Sequence, residues 1–185
     1  MNLEKALTIP GWMTEDELRW LAEQASAHRA IVEIGSWRGR STRALADNTP
    51  GTVWAVDTWK GSQEEQHLEE FRAHADNPNW LFEDFASNMW PLANVNAVQR
   101  DSQDAARYLS LRCFDMIFID GSHEYEDVRA DIDHWLPRVK HGGTICGHDY
   151  LPDHYPGVVQ AVNETFKVFT MGPGAWTSVW CVRLT

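Results

Sequence analysis

The sequence predicts an α/β protein, a doubly wound and mostly parallel sheet with an antiparallel C-terminal strand. Three observations lead there. Apolar strand-like runs alternate with amphipathic helical runs along the chain, without repeats or low-complexity segments. The run from Phe114 to Asp120 is almost continuous in apolar residues, as a strand covered on both faces must be. Ile31-Val32-Glu33-Ile34 runs into Gly35-Ser36-Trp37-Arg38-Gly39 and then into a helix start at Ser41-Thr42. Such a strand, glycine turn and helix is the unit with which open α/β sheets hold a nucleotide-like cofactor, because glycine accepts positive φ and lets the backbone approach a ligand closely.

The elements follow in order. Thr14-Glu15-Asp16-Glu17 has the form of a capping box, with Met13 and Leu18 placed as a hydrophobic staple, so a helix is expected from about Glu15 to Ala27. Strands are expected at Ala30–Ile34, Val53–Asp57 and Val95–Gln99, with a helix from Ser41 to about Asp47 after the first. The segment between Trp59 and Pro91 is longer than a minimal crossover. It reads as one or two helices forming a lid or substrate wall, rich in acids and carrying Trp80, Phe82, Phe85 and Trp90. After the Phe114–Asp120 strand, Val128, Ile132, Trp135, Leu136 and Val139 recur at helical spacing, so a helix is expected from about Tyr125 to Lys140, ended by His141-Gly142-Gly143. Thr144–His148 gives a fifth strand and Val158–Thr165 a last helix. Lys167–Met171 and Ser178–Leu184 are expected to close the sheet.

Composition narrows the function. A chain of 185 residues, 43% of them hydrophobic, is read as one domain over 1–185, with 1–29 as an N-terminal helical cap and 60–91 as the lid insertion. The formal net charge of -11, with 27 acidic against 16 basic residues, argues against nucleic acid and against an anionic membrane surface. The first residues carry no basic region followed by an apolar run, and no stretch is long enough to span a bilayer. Cys113, Cys146 and Cys181 form no CxxC pair and read as thiols of a reducing, cytoplasmic protein.

Glu33 to Gly39, Asp57, Asp101-Ser102 and Asp120 to His123 all fall at carboxyl ends of successive strands, where the ligand crevice of an open α/β sheet lies. Asp57 stands about 20 residues beyond the glycine turn, the place of an acid that accepts hydrogen bonds from ribose hydroxyls. Its other reading is a cap on the next turn. The run Gly35-Ser36-Trp37-Arg38-Gly39 lacks the third, helix-packing glycine of GxGxxG, which argues against a nicotinamide oxidoreductase.

With these residues the chain resembles the class I S-adenosylmethionine-dependent methyltransferases, whose fold is Rossmann-like, and among them the group of macrocin-type sugar O-methyltransferases. The motifs are Val32-Glu33-Ile34-Gly35-Ser36, Ala55-Val56-Asp57-Thr58-Trp59, Phe118-Ile119-Asp120-Gly121-Ser122-His123 and Gly142-Gly143-Thr144-Ile145-Cys146-Gly147-His148-Asp149-Tyr150. The resemblance implies S-adenosyl-L-methionine as cofactor, held by Glu33, Gly35, Ser36, Trp37, Gly39, Ser41, Thr42, Asp57, Thr58, Trp59, Asp101, Ser102 and Asp120. It implies catalysis by His123, a base taking the proton of a hydroxyl on a small-molecule acceptor such as a sugar or glycoside, together with Asp120. It also implies Mg2+ or Mn2+ at Asp120, His148 and Asp149. Two departures stand out. Trp37 occupies the place of a middle glycine, so its ring must point away from the cofactor or lie flat against it. His148 occupies one place of an acidic pair, and an imidazole ligand suits manganese, iron or zinc better than magnesium. His148 can equally be a second base, a cofactor contact or a structural residue. A catalytically silent S-adenosylmethionine-binding module and a homo-oligomer that completes its pocket between subunits both stay open.

Overall fold

A computed structural model describes residues 1–61, 65–109, 113–174 and 177–185. Its centre is a seven-stranded sheet in the order β3-β2-β1-β4-β5-β7-β6. The strands are β1 (Ala30–Ile34), β2 (Thr52–Asp57), β3 (Val95–Gln99), β4 (Phe114–Ile119), β5 (Val139–Gly147), β6 (Thr170–Met171) and β7 (Trp180–Arg183). β1 to β5 pair in parallel, whereas β7 runs antiparallel to both β5 and β6. The order reverses between β1 and β4, the switch point at which such sheets open a crevice beyond their carboxyl ends.

Alternation along β4 shows why this sheet is covered twice. Met116 and Phe118 pack with Leu18, Leu21 and Leu45, which come from α1 (Glu15–Ser26) and α2 (Arg40–Ala46). Ile117 and Ile119 face the other way, onto Ile132, Trp135, Val158 and Val162 of α6 (Tyr125–Trp135) and α7 (Pro156–Thr165). A third cluster joins Ile9 and Trp59 to Trp80, Leu81, Phe85 and Met89, and so seats α4 (Trp80–Met89) beside the end of β2. Before α4 lies α3 (Glu65–Ala73), and the two supply the helices expected between 60 and 91, a segment of which 62–64 lie outside the described residues. The capping box forms as expected: Glu17 N–H donates to Thr14 Oγ1 at 3.3 Å, and Thr14 N–H donates to Glu17 Oε2 at 3.0 Å.

The structure departs from the sequence reading in three places. A short helix, α5 (Ser102–Tyr108), follows β3 where none is expected. Its apolar contribution is only Ala105 and Ala106, too small for a periodic signal, and Asp101 nucleates it by accepting the N–H groups of Gln103 and Asp104. The helix expected to reach Lys140 stops at Trp135, because Pro137 offers no N–H to continue it and sits in a 3-10 turn over Leu136–Arg138. His141-Gly142-Gly143 is therefore not a helix end but part of β5. Gly142 takes φ +74° there, and the pairing with β4 jumps from Phe114–Val139 to Met116–Thr144. The closing strands are also shorter than expected, Lys167 to Phe169, Ser178, Val179 and Leu184 lying outside them. No helix among the described residues is long and apolar enough to cross a membrane.

Candidate active site

The turn after β1 carries three left-handed residues, Gly35 (φ +82°), Trp37 (φ +48°) and Gly39 (φ +89°). Gly35 is demanded by the sheet itself, since a Cβ there would lie 2.0 Å from the backbone oxygen of Asp120. Asp57 shapes the rest of the turn. Its Oδ2 accepts the N–H groups of Ser36 (2.8 Å) and Trp37 (2.9 Å), and its Oδ1 accepts Trp59 N–H (2.7 Å). Burial pushes the Asp57 carboxyl up, and these backbone donors pull against it.

Behind the turn, Glu33 is fully buried and accepts the hydroxyls of Ser36 (2.7 Å) and Thr42. Burial pushes it up to about 7, against the opposing hydrogen bonds of Ser41, Thr42 and Ser36. Trp37 forms a wall: its ring lies 5.7 Å from Trp12 and 6.1 Å from Trp80, while its carbonyl accepts Trp59 Nε1–H at 2.9 Å. Arg38 ties the turn to α3 and α4 through Glu70 (2.7 Å) and Asp84 (3.4 Å).

Beyond the carboxyl ends of β1 to β5 opens a cavity of about 710 Å³, within the range of about 300–1,000 Å³ usual for small-molecule sites. The sequence-predicted residues Gly35, Ser36, Trp37, Ser41, Asp57, Thr58, Asp101, Ser102, Asp120, His123, His148 and Asp149 all line it. Glu33, Gly39, Thr42 and Trp59 do not. Glu33 and Thr42 sit under the turn, Gly39 is packed against Met89 and Phe85, and Trp59 is a core residue against Phe82 and Phe85. They support the wall from behind.

At the floor, Asp120, His148 and Asp149 come together, each offering a ligand atom within 4.8 Å of the others. The Asp120 Oδ1 and Asp149 Oδ1 atoms stand 3.6 Å and 3.1 Å from His148 Nδ1, and His123 Nε2 stands 2.9 Å from Asp149 Oδ2. Asp149 holds this position in the left-handed region (φ +61°), with its N–H donated to Ser178 Oγ at 3.3 Å. The other ring nitrogen of His148, Nε2, lies 3.4 Å from Glu17 Oε1, within ion-pair range but without a formed hydrogen bond.

The charges in this cluster move one another. Burial disfavours the His148 imidazolium, yet Asp120, Asp149 and Glu17 outweigh it and push the group up to about 11. Burial lifts the Asp120 carboxyl to about 6, with Asp149 adding to the rise and His148 opposing it. Asp149 and Glu17 go down despite burial, Asp149 through His123 and His148, Glu17 to about 2 through His148 and the N–H groups of Ser178 and Thr14.

Sequence reasoning misses several residues of the site, Asp131 and Glu17 among them. Asp131 lines the cavity from α6 and accepts Ser102 Oγ–H at 2.5 Å, while the same Ser102 Oγ accepts Trp135 Nε1–H at 2.8 Å. Burial lifts Asp131 to about 6. A signal for it exists, an acid on the apolar stripe of Val128, Ile132 and Trp135. Glu17 reads in the sequence only as a helix cap, although its neighbours Leu18 and Leu21 already turn that part of α1 toward the core.

Asp120, Asp149 and the imidazole of His148 are a set suited to a divalent transition metal, and the buried, unbonded Nε2 of His148 with Glu17 beyond it resembles the outer support such ligands need. The cavity lining, richer in carboxylates than in guanidinium groups, suits a ligand carrying positive charge.

Residues 32–150 match the family model described as a methyltransferase domain. Among curated proteins, the chain is 28% identical over 147 residues to the uncharacterized protein y4gI of Sinorhizobium fredii, covering 76% of this chain but 15% of that protein. It is 27% identical over 143 residues to an uncharacterized protein of Acanthamoeba polyphaga mimivirus, covering 72% of this chain and 57% of that one. Among solved structures it is similar to the O-methyltransferase from Bacillus cereus in complex with SAH, with a TM-score of 0.60 and 20% identity, covering 98% of this chain and 90% of the other.

Proposed function

The chain belongs to the methyltransferase-domain family, and on that footing we propose that it moves the methyl group of S-adenosylmethionine onto a hydroxyl of a small molecule, with His123 as base and a divalent cation at Asp120, His148 and Asp149. The observation that carries this reading is the opening of the His123–Asp149 pair onto the same cavity as the glycine turn and Asp57.

The donor carries a sulfonium and an ammonium group, for which the carboxylate-rich lining is complementary. Asp57 Oδ1 accepts Trp59 N–H, and since a carboxylate oxygen takes a second donor, it can also receive a ribose hydroxyl. Ser102 and Gln103, at the start of α5, stand with Asp131 along the side of the cavity where the adenine would lie.

Bound there, the donor supplies a methyl group already activated by its positive sulfur, so the protein has to align the acceptor and remove one proton. His123 suits the second task. Its Nε2–H donated to Asp149 fixes the tautomer that leaves a lone pair on Nδ1, and Asp149 stabilises the imidazolium once the hydroxyl proton has arrived. The Tyr155 ring, 4.0 Å from that of His123, restrains the imidazole further. A divalent cation on Asp120, His148 and Asp149 would polarise the acceptor oxygen and make its proton easier to remove.

A sugar or glycoside is the acceptor class that the walls favour, because Trp12 and Trp37 offer aromatic faces while Glu124 and Asp127 offer hydrogen-bond acceptors. The test is a mass-shift screen of hydroxyl compounds with S-adenosylmethionine, run on the wild type and on His123→Ala. A gain of one methyl that depends on His123 supports the reading. Methylation that proceeds equally without His123 removes the base assignment.

A further inference from the structure

The N-terminal helix brings one carboxylate into the floor of the site, and that carboxylate has two jobs. Glu17 is the third residue of the α1 capping box, held through Oε2 by Thr14. Its Oε1 accepts Ser178 N–H at 2.9 Å, which pins it to the segment before β7, and stands 3.4 Å from His148 Nε2. Both side chains are buried, and no other acceptor is within hydrogen-bond range of Nε2 among the described residues.

We infer that Glu17 is a positioning residue for the metal site: by facing Nε2 it keeps a proton on that nitrogen, so that the proton a cation displaces from His148 is the one on Nδ1, which becomes the ligand atom beside Asp120 and Asp149. The inference rests on the metal reading given above. A histidine ligand is oriented through its second nitrogen, usually by a carboxylate, and losing that partner lowers metal affinity by about 10–100-fold. Because the effect passes through an imidazole, Glu17 also favours cations that accept nitrogen ligands, such as Mn2+ or Co2+, over Mg2+.

Glu17→Gln separates this role from the helix cap. Glutamine serves at the third position of a capping box as well as glutamate does. With its oxygen kept toward Thr14, however, its NH2 group faces Ser178 N–H and His148 Nε2. An NH2 opposite Nε2 demands a lone pair there, so the proton that the ring gives up is the one on Nε2 and the one it retains blocks the metal-facing Nδ1.

The experiment is a calorimetric titration of metal-stripped wild type and Glu17→Gln with Mn2+ and with Mg2+, supported by Co2+ absorption spectra and by S-adenosylhomocysteine affinity measured without metal. The expected result is a loss of about 10–100-fold in Mn2+ affinity, a smaller loss for Mg2+, a changed Co2+ spectrum, and unchanged S-adenosylhomocysteine binding. Where Glu17→Gln does not fold, Glu17→Asp retracts the carboxylate by one methylene and is expected to show the same preference for losing Mn2+. Equal Mn2+ affinity in variant and wild type overturns the inference, as does an equal loss for both metals, which a change of net charge alone would produce. A wild type that takes up neither metal overturns the metal reading and the inference with it.

Discussion

Replacing Asp57 by alanine removes one carboxylate that serves three backbone donors, those of Ser36, Trp37 and Trp59. Each donor left without its acceptor costs about 1–2 kcal/mol, since a hydrogen bond to a charged group is worth about 1.5–3 kcal/mol and water replaces part of it. Summed, the loss would be about 3–6 kcal/mol. Burial holds the wild-type carboxyl above its ordinary value, so removing it returns part of that sum, and a net loss of roughly 2–4 kcal/mol in folding stability is expected. Such a loss is a large fraction of the about 5–15 kcal/mol that keeps a domain folded. Cofactor affinity should fall as well. A ribose hydroxyl on a charged acceptor is worth about 1.5–3 kcal/mol, or about 10–150-fold in dissociation constant. Urea unfolding and calorimetric titration with S-adenosylhomocysteine measure the two effects separately. An Asp57→Ala protein with a wild-type urea midpoint and wild-type affinity would refute both the clamp on the turn and the ribose assignment.

Three further outcomes follow from the same geometry. His123→Ala should leave S-adenosylhomocysteine affinity intact while lowering turnover by about 10²–10⁴, and retained turnover on a hydroxyl acceptor would remove His123 from the base role. Gly35→Ala puts a Cβ 2.0 Å from the Asp120 backbone oxygen at φ +82°, so the soluble yield or thermal midpoint should collapse, and a wild-type midpoint would contradict the packing of β1 on β4. Asp131→Asn should stabilise the protein at neutral pH. Burial lifts this acid from 3.8 to about 6, so the folded state prefers the protonated form; the wild type is penalised as pH rises through that value, whereas below 3.8 there is no penalty to relieve. A gain on the order of 1–3 kcal/mol at pH 8 that disappears toward pH 4 is expected in urea titrations, and a loss at pH 8 would count against it.

What the sequence made legible was whatever depends on local order. Strand periodicity, the Thr14–Glu17 capping box and the glycine turn each announce themselves within a few residues, and the parallel topology then carries Gly35, Asp57, Asp101, Asp120 and His148 to one edge. Less legible were residues whose role depends on what lies opposite. Thr42 and Trp59 sit beside cavity residues in sequence, yet their side chains turn to Glu33 and to the aromatic cluster. Glu17 lies far from His148 in the chain and meets it only because α1 packs across the sheet near β5 and β7. Asp131 carried a sequence signal, an acid on an apolar stripe, but the identity of its partner, Ser102, came only with the fold. The helix expected to reach Lys140 shows the opposite failure: the apolar period continues through Val139, while Pro137 and the bulge at Gly142 decide where helix gives way to strand.

Calorimetric titration of the wild-type protein with S-adenosylmethionine and S-adenosylhomocysteine, with NAD as the control, tests the central claim most directly. The cavity built on the glycine turn, Asp57 and the strand ends predicts one molecule of either sulfur compound bound per chain, no comparable binding of NAD, and a weakened isotherm in Asp57→Ala. Binding of neither sulfur compound would contradict the account at its root.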